Sequence, residues 1–148
     1  HLSIRRQRQM CIRDSKYAFP WQKRCAEFAH KHGRPFILHS CGNLEMIMKD
    51  LIYYVGIDAR HSFQDNITPV AEAKERYGDR IALLGGIDLD KLCRLPTEEL
   101  KRYVEEVVSK CSVGGGYALG SGNSIPNFIN IENYIAMHKV GLRHGMYL

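Results

Sequence analysis

The chain has 148 residues, and 45% of them are hydrophobic, enough to bury a sizeable core and too many for a disordered chain. Lys and Arg outnumber Asp and Glu by 21 to 16, a formal net charge of +5, but residues 1–15 hold four arginines and one aspartate, so they carry +3 of it and the rest only +2. That balance excludes a basic nucleic-acid-binding face on the body of the chain, and neither a signal peptide nor a membrane span is legible, so no membrane partner is expected.

Arg5 to Ser15 has neither a helical nor a strand period. It resembles the conceptual translation of a transposase adapter used in building sequencing libraries. On that reading residues 1–15 are a non-native adapter-like segment, set aside from fold reasoning as a tag would be. The rival reading is a basic arm for nucleic acid. Of the five cysteines, Cys11 falls in this segment. Cys25, Cys41, Cys93 and Cys111 are scattered, with no CxxC and no disulfide framework, which points to a reducing, cytoplasmic setting.

From Lys16 on, helix and strand signals alternate. Trp21, Cys25, Phe28 and Ala29 share one helical stripe, stopped at Lys31-His32-Gly33. Pro35-Phe36-Ile37-Leu38-His39-Ser40-Cys41 then reads as a buried strand. Leu44, Ile47, Met48, Leu51, Ile52 and Val55 fall at helical spacing, capped by Asn43 and closed by Gly56. Ile57–Phe63 is a second strand. Thr68 and Pro69 open a short helix through Tyr77. Arg80–Asp88 is a third strand. Thr97–Cys111 is a helix with Leu100, Tyr103, Val104, Val107, Val108 and Cys111 on its stripe and two acids in its first turn. Tyr117–Asn123 is a fourth strand. A last helix covers about 131–142, with Ile131, Tyr134, Ile135, His138 and Leu142 facing inward.

Alternating strands and helices imply parallel β/α units. Four units are too few for a closed (β/α)8 barrel, which takes about 250 residues. The expected fold is therefore α/β, the C-terminal half of a (β/α)8 TIM barrel, with a small doubly wound sheet as the alternative. Such a half barrel leaves two open edges, so this stretch alone is expected to aggregate.

The chemistry concentrates at the end of the first strand. His39 and Cys41 are two residues apart, and period-2 geometry puts them on one face. A nitrogen and a sulfur donor together at a strand's C-terminal end fit a metal site. A buried thiol beside a hydrogen-bonded imidazole fits equally well.

His39-Ser40-Cys41-Gly42-Asn43, Leu84-Gly85-Gly86-Ile87-Asp88 and Gly120-Ser121-Gly122-Asn123-Ser124-Ile125-Pro126, followed by Glu132-Asn133, resemble the uroporphyrinogen decarboxylase superfamily. Within it they resemble the cobamide-dependent methyltransferase branch. The likeness runs through nearly all of residues 16–148, which it implies are the C-terminal part of a barrel domain. It implies a zinc ion held by a His-x-Cys pair and a later Cys between two glycines. The zinc holds a substrate thiol as thiolate, which takes a methyl group from a cobamide carried by a corrinoid protein. Carried over by position, His39 and Cys41 are two ligands. The third place falls on Ser121, and serine is a poor zinc ligand, so His61, Asp88 or a residue of the missing half is a candidate substitute. Gly120, Gly122 and Asn123 are implied as cofactor-binding positions. No catalytic residue is assigned. The implied partners are a small-molecule substrate and a corrinoid protein. The alternatives are porphyrinogen decarboxylation and a superfamily domain without catalysis. The resemblance also implies an enzyme in the full-length protein and an inactive fragment here.

Overall fold

The computed structural model describes residues 14–145. Of the adapter-like segment, only Asp14 and Ser15 are described, within a π turn Asp14–Ala18. The expectations for the rest of it, Cys11 included, lie outside the described residues.

Four strands form one parallel sheet: β1 (Ile37–His39), β2 (Ala59–His61), β3 (Ala82–Leu84) and β4 (Tyr117–Ala118), in the order β1-β2-β3-β4. Leu83 pairs with Tyr117 and Leu84 with Ala118. Helices fill every crossover. A doubly wound sheet reverses its strand order at a switch point. Here the order never reverses, as in consecutive units of a (β/α)8 barrel. The strands are shorter than the apolar runs in the sequence, because only two or three residues of each run enter the ladder.

The chain divides into two compact units. One holds the chain up to Leu38 together with Asn43–Ala59. Its helix α1 (Phe19–Lys31) buries Phe19 and Ala26. The predicted stripe is a correction: Trp21 and Phe28 are 63% and 68% exposed, and Cys25 is exposed too. Their spacing is helical, but none of the described residues of their own unit covers that face. The predicted helix after Asn43 is built of a 3₁₀ turn Glu45–Ile47, an α turn α2 (Met48–Asp50) and a π turn Leu51–Val55. Leu44, Ile47, Met48, Leu51 and Val55 are buried as the spacing predicts. Asn43 Oδ1 accepts the Glu45 amide at 3.0 Å, and Gly56 closes the run at φ 80°.

Asp58 ties this unit together. Its carboxylate accepts the Phe36 amide at 2.7 Å and meets His30 Nε2 at 2.6 Å. Burial pushes its pKa up, but the Phe36 amide and His30 outweigh burial and hold the carboxyl below its ordinary value. A depressed folded pKa stabilises the fold above the unfolded value, about 3.9, and the gain is lost as pH falls through the folded value. Chemical unfolding followed from pH 7 downward should therefore show an acid limb below about pH 4. That limb should be shallower in Asp58→Asn; an identical limb in the variant would remove Asp58 from the account.

The second unit holds His39–Gly42 and the chain from Arg60 on. It contains α3 (Val70–Tyr77), α4 (Leu89–Arg94), α5 (Thr97–Cys111) and α6 (Ile131–His144). Helix α5 follows its sequence: Leu100, Val104, Val108 and Cys111 are buried at 0–3% exposure. Burying an aliphatic side chain of this kind contributes about 1.5–3 kcal/mol. Burial also pushes the Cys111 thiol up to about 11, which keeps it an inert core residue.

Helix α6 departs from its predicted face. Asn133, Ala136, Met137 and Val140 are buried, while Ile131, Ile135 and Leu142 are 45–71% exposed and His138 is exposed. The deciding residue is polar. Asn133 Nδ2 donates to the carbonyls of Leu92 and Leu95, and Oδ1 accepts the Thr97 hydroxyl at 2.8 Å. Three groups at the junction of α4 and α5 are thereby satisfied, and the helix rotates to reach them.

Candidate functional site

The sequence-predicted residues meet within the second unit, at the C-terminal ends of the strands. His39 ends β1 and His61 ends β2, while Ser121 and Asn123 follow β4. Parallel strands deliver their C-terminal ends to one rim, which is why residues far apart in sequence converge here. His39 and Cys41 are exposed rather than buried, a correction to the reading of a strand covered on both faces. β1 is the first strand of the sheet, and only its Leu38 turns inward.

Three contacts link four residues in a chain. Ser121 O lies 3.2 Å from His61 Nε2. His61 Nδ1 lies 2.6 Å from His39 Nδ1. His39 Nε2 lies 3.6 Å from Cys41 Sγ. A carbonyl only accepts, so His61 Nε2 carries the proton. In the neutral ring its Nδ1 is then an acceptor, and His39 Nδ1 is the donor. His39 Nε2 is left with its lone pair on the side of the sulfur.

Cys41 Sγ accepts two further hydrogen bonds at 3.2 Å each, from Ser62 Oγ and Asn123 Nδ2. Both suit a sulfur that carries negative charge or binds a metal. Ser62 is 2% exposed and sits at φ 85°, a left-handed conformation that a serine rarely adopts. That turn swings its hydroxyl onto the sulfur. Sequence reasoning missed Ser62. Its only signal is its place beside His61 at a strand end, since a backbone angle leaves no mark in the residue type.

Two glycines make room for this arrangement. Gly85 has φ 82°, and a Cβ there would overlap the Ser121 carbonyl and stand 2.9 Å from the His61 ring. A Cβ on Gly122 would overlap the Phe63 carbonyl. Gly122 also gives its amide to Ile87 and its carbonyl to the Phe63 amide, and Gly120 O accepts the Ile87 amide. Gly120 and Gly122 thus bind strand ends together with their backbones, while Asn123 reaches the sulfur.

The candidate third ligands are engaged elsewhere. The Ser121 hydroxyl donates to the Asn123 carbonyl. Both His61 nitrogens are taken. Asp88 caps α4, accepting the amides of Asp90 and Lys91, and also accepts the Asp65 amide. Among the described residues, no group of three or more His, Cys, Asp and Glu side chains is arranged to hold a metal. A zinc ion with one nitrogen and one thiolate ligand spaces them about 3.5 Å apart, from Zn–N of about 2.0 Å and Zn–S of about 2.3 Å at the tetrahedral angle. His39 Nε2 and Cys41 Sγ stand at 3.6 Å. The donor pair therefore fits two corners of a zinc site.

Asn123 also lines a cavity of about 440 Å³, shared with Phe63, Asp65, Asp88 and Lys91. Lys91 Nζ pairs with Asp65 at 2.8 Å, and Tyr103 donates to the same carboxylate at 2.8 Å. Burial, with Asp65 beside it, pushes the Tyr103 pKa well above its ordinary value, so the phenol stays a donor. No described helix is long and apolar enough to cross a membrane.

The family model for uroporphyrinogen decarboxylase matches residues 15–143. Among solved structures, a methyltransferase from Methanosarcina mazei is similar in fold, with a TM-score of 0.70 and 21% identity. The likeness covers 90% of this chain and 37% of that one, so the chain spans little more than a third of its neighbour. No curated protein matches the chain.

Proposed function

This chain belongs to the uroporphyrinogen decarboxylase family, and from that premise we propose that it contributes the thiol-activating half of a methyltransferase site. The reaction is zinc-assisted transfer of a methyl group between a corrinoid protein and a thiol or methylated substrate. The observation that carries this reading is the His39–Cys41 pair, with its 3.6 Å spacing and the His39 lone pair turned to the sulfur. His39 Nε2 and Cys41 Sγ would hold the ion. Bound there, zinc would lower the pKa of a substrate thiol and keep it as the nucleophilic thiolate. A catalytic zinc site takes three protein ligands and keeps one position for the substrate, so beside His39 and Cys41 the third ligand would come from the part of the full-length protein outside this chain. Ser62 and Asn123 hold Cys41 in place and stabilise charge on its sulfur. The cavity beside Asn123 receives the small-molecule substrate. The four free thiols among the described residues support a reducing, cytoplasmic setting.

Elemental analysis of the full-length protein purified under reducing conditions should find bound zinc, and a methylated corrinoid with a thiol should yield the thioether. Background zinc would overturn the reading. Metal-free turnover of a porphyrinogen would replace it with decarboxylation. Ser62→Gly separates stability from function. Glycine removes a backbone strain of about 1–3 kcal/mol, so the unfolding midpoint should hold or rise. The lost hydroxyl should weaken zinc binding by about tenfold. A midpoint that falls with zinc affinity unchanged would place Ser62 in folding alone.

A further inference from the structure

The geometry points to His61 as the positioning residue of the site: it locks His39 in the Nδ1–H form and thereby aims the Nε2 lone pair at the metal-binding side. The inference rests on the zinc reading of His39 and Cys41 and names what makes that pair competent.

A ligating imidazole must present a bare nitrogen. An unconstrained histidine side chain favours the Nε2–H form, which would place a proton where His39 faces Cys41. Something must reverse that preference. The contacts of His61 do so in two steps. Its Nε2 lies 3.2 Å from the Ser121 carbonyl, an acceptor that cannot donate. That contact assigns the His61 proton to Nε2 and leaves Nδ1 bare. The bare Nδ1 lies 2.6 Å from His39 Nδ1 and demands a donor there. The two rings tilt by 39° with centroids 4.8 Å apart, so one edge of each faces the other. His61 thus has no lone pair left for a metal and acts through His39.

The anchor is backbone, not side chain. What matters at position 121 is its carbonyl, and Gly85 keeps the space in which that carbonyl and the His61 ring meet. Metal-bound histidines commonly give their second N–H to a carboxylate or a carbonyl. Here a second histidine is interposed and borrows the direction of a main-chain carbonyl.

The test reads the His39 proton directly, without activity. Ring ¹⁵N spectra of the metal-free, intact protein at a pH where the rings are neutral should show Nδ1–H on His39. In His61→Phe the acceptor is gone, and the proton should move to Nε2. In His61→Asn the amide oxygen stands near the place of Nδ1 and accepts, so Nδ1–H should persist. Zinc affinity, read by competition with a chromophoric chelator, should fall by about 10–100-fold in His61→Phe and stay near wild type in His61→Asn. An Nε2–H His39 in the wild type overturns the inference whether or not the variants fold. So does an equal loss of affinity in both variants, which would make His61 itself a ligand. If the tautomers behave as expected and zinc does not bind, the positioning role stands and the zinc reading falls.

Discussion

Replacing Cys41 with serine should take bound zinc from about one ion per chain to background. Cys41 is one of two donors at the proposed centre, and it is the one that carries charge. A thiolate gives zinc both a strong bond and a negative partner, while a serine hydroxyl stays protonated and competes poorly with water. Ser62 Oγ and Asn123 Nδ2 converge on the sulfur and are built to face an acceptor. The fold should survive, because Cys41 is exposed and packs no core. The check is zinc content by elemental analysis beside circular dichroism of the same sample. Retained zinc in a folded Cys41→Ser protein would remove the sulfur from the site, and with it the methyl-transfer reading.

Gly85→Ala should destabilise the protein by about 2–4 kcal/mol and scramble the site. A non-glycine residue in the left-handed region costs about 1–3 kcal/mol by itself. The added methyl also overlaps the Ser121 carbonyl and crowds the His61 ring. Neither neighbour yields cheaply. The Ser121 carbonyl is main chain, and the Gly85 amide is bound to Ala118 O at 2.8 Å. Moving His61 aside would break its link to His39. Denaturant unfolding should show the shift, and His39 should lose its single tautomer in whatever fraction remains folded. A wild-type midpoint would show that the strand ends are looser than the geometry implies.

Much of the fold is legible in the sequence. Leu100, Val104, Val108 and Cys111 announced α5 because every turn repeats the same apolar demand. The run after Asn43 did likewise, with an Asx cap at one end and Gly56 at the other. Alternating strands and helices predicted parallel units. Helix faces were harder. The Trp21–Phe28 stripe and the Ile131–Leu142 stripe have helical spacing, yet both are exposed. Spacing identifies a helix, whereas its buried face depends on what packs against it. In α6 a single asparagine with three hydrogen-bond partners outweighs three large apolar residues. The Asp88-capped helix α4 went unread because six residues show little period.

At the site, a two-residue spacing at the end of a strand was enough to bring forward His39 and Cys41, while Ser121 and Asn123, and His61 as a substitute ligand, came only with the family resemblance. Their roles belong to the tertiary structure. Whether an imidazole ligates a metal or orients another imidazole depends on which group faces each ring nitrogen, and those groups lie 22 and 60 positions away from His61. The left-handed Ser62 and the carbonyl of Ser121 are backbone features, and side-chain identity does not encode them. The sequence by itself determined that a nitrogen and a sulfur donor end one strand of a parallel α/β fold. The direction of the His39 lone pair, and with it the use of the pair, was decided only when three strand ends came together, because a proton's place on a ring follows from its neighbours in space.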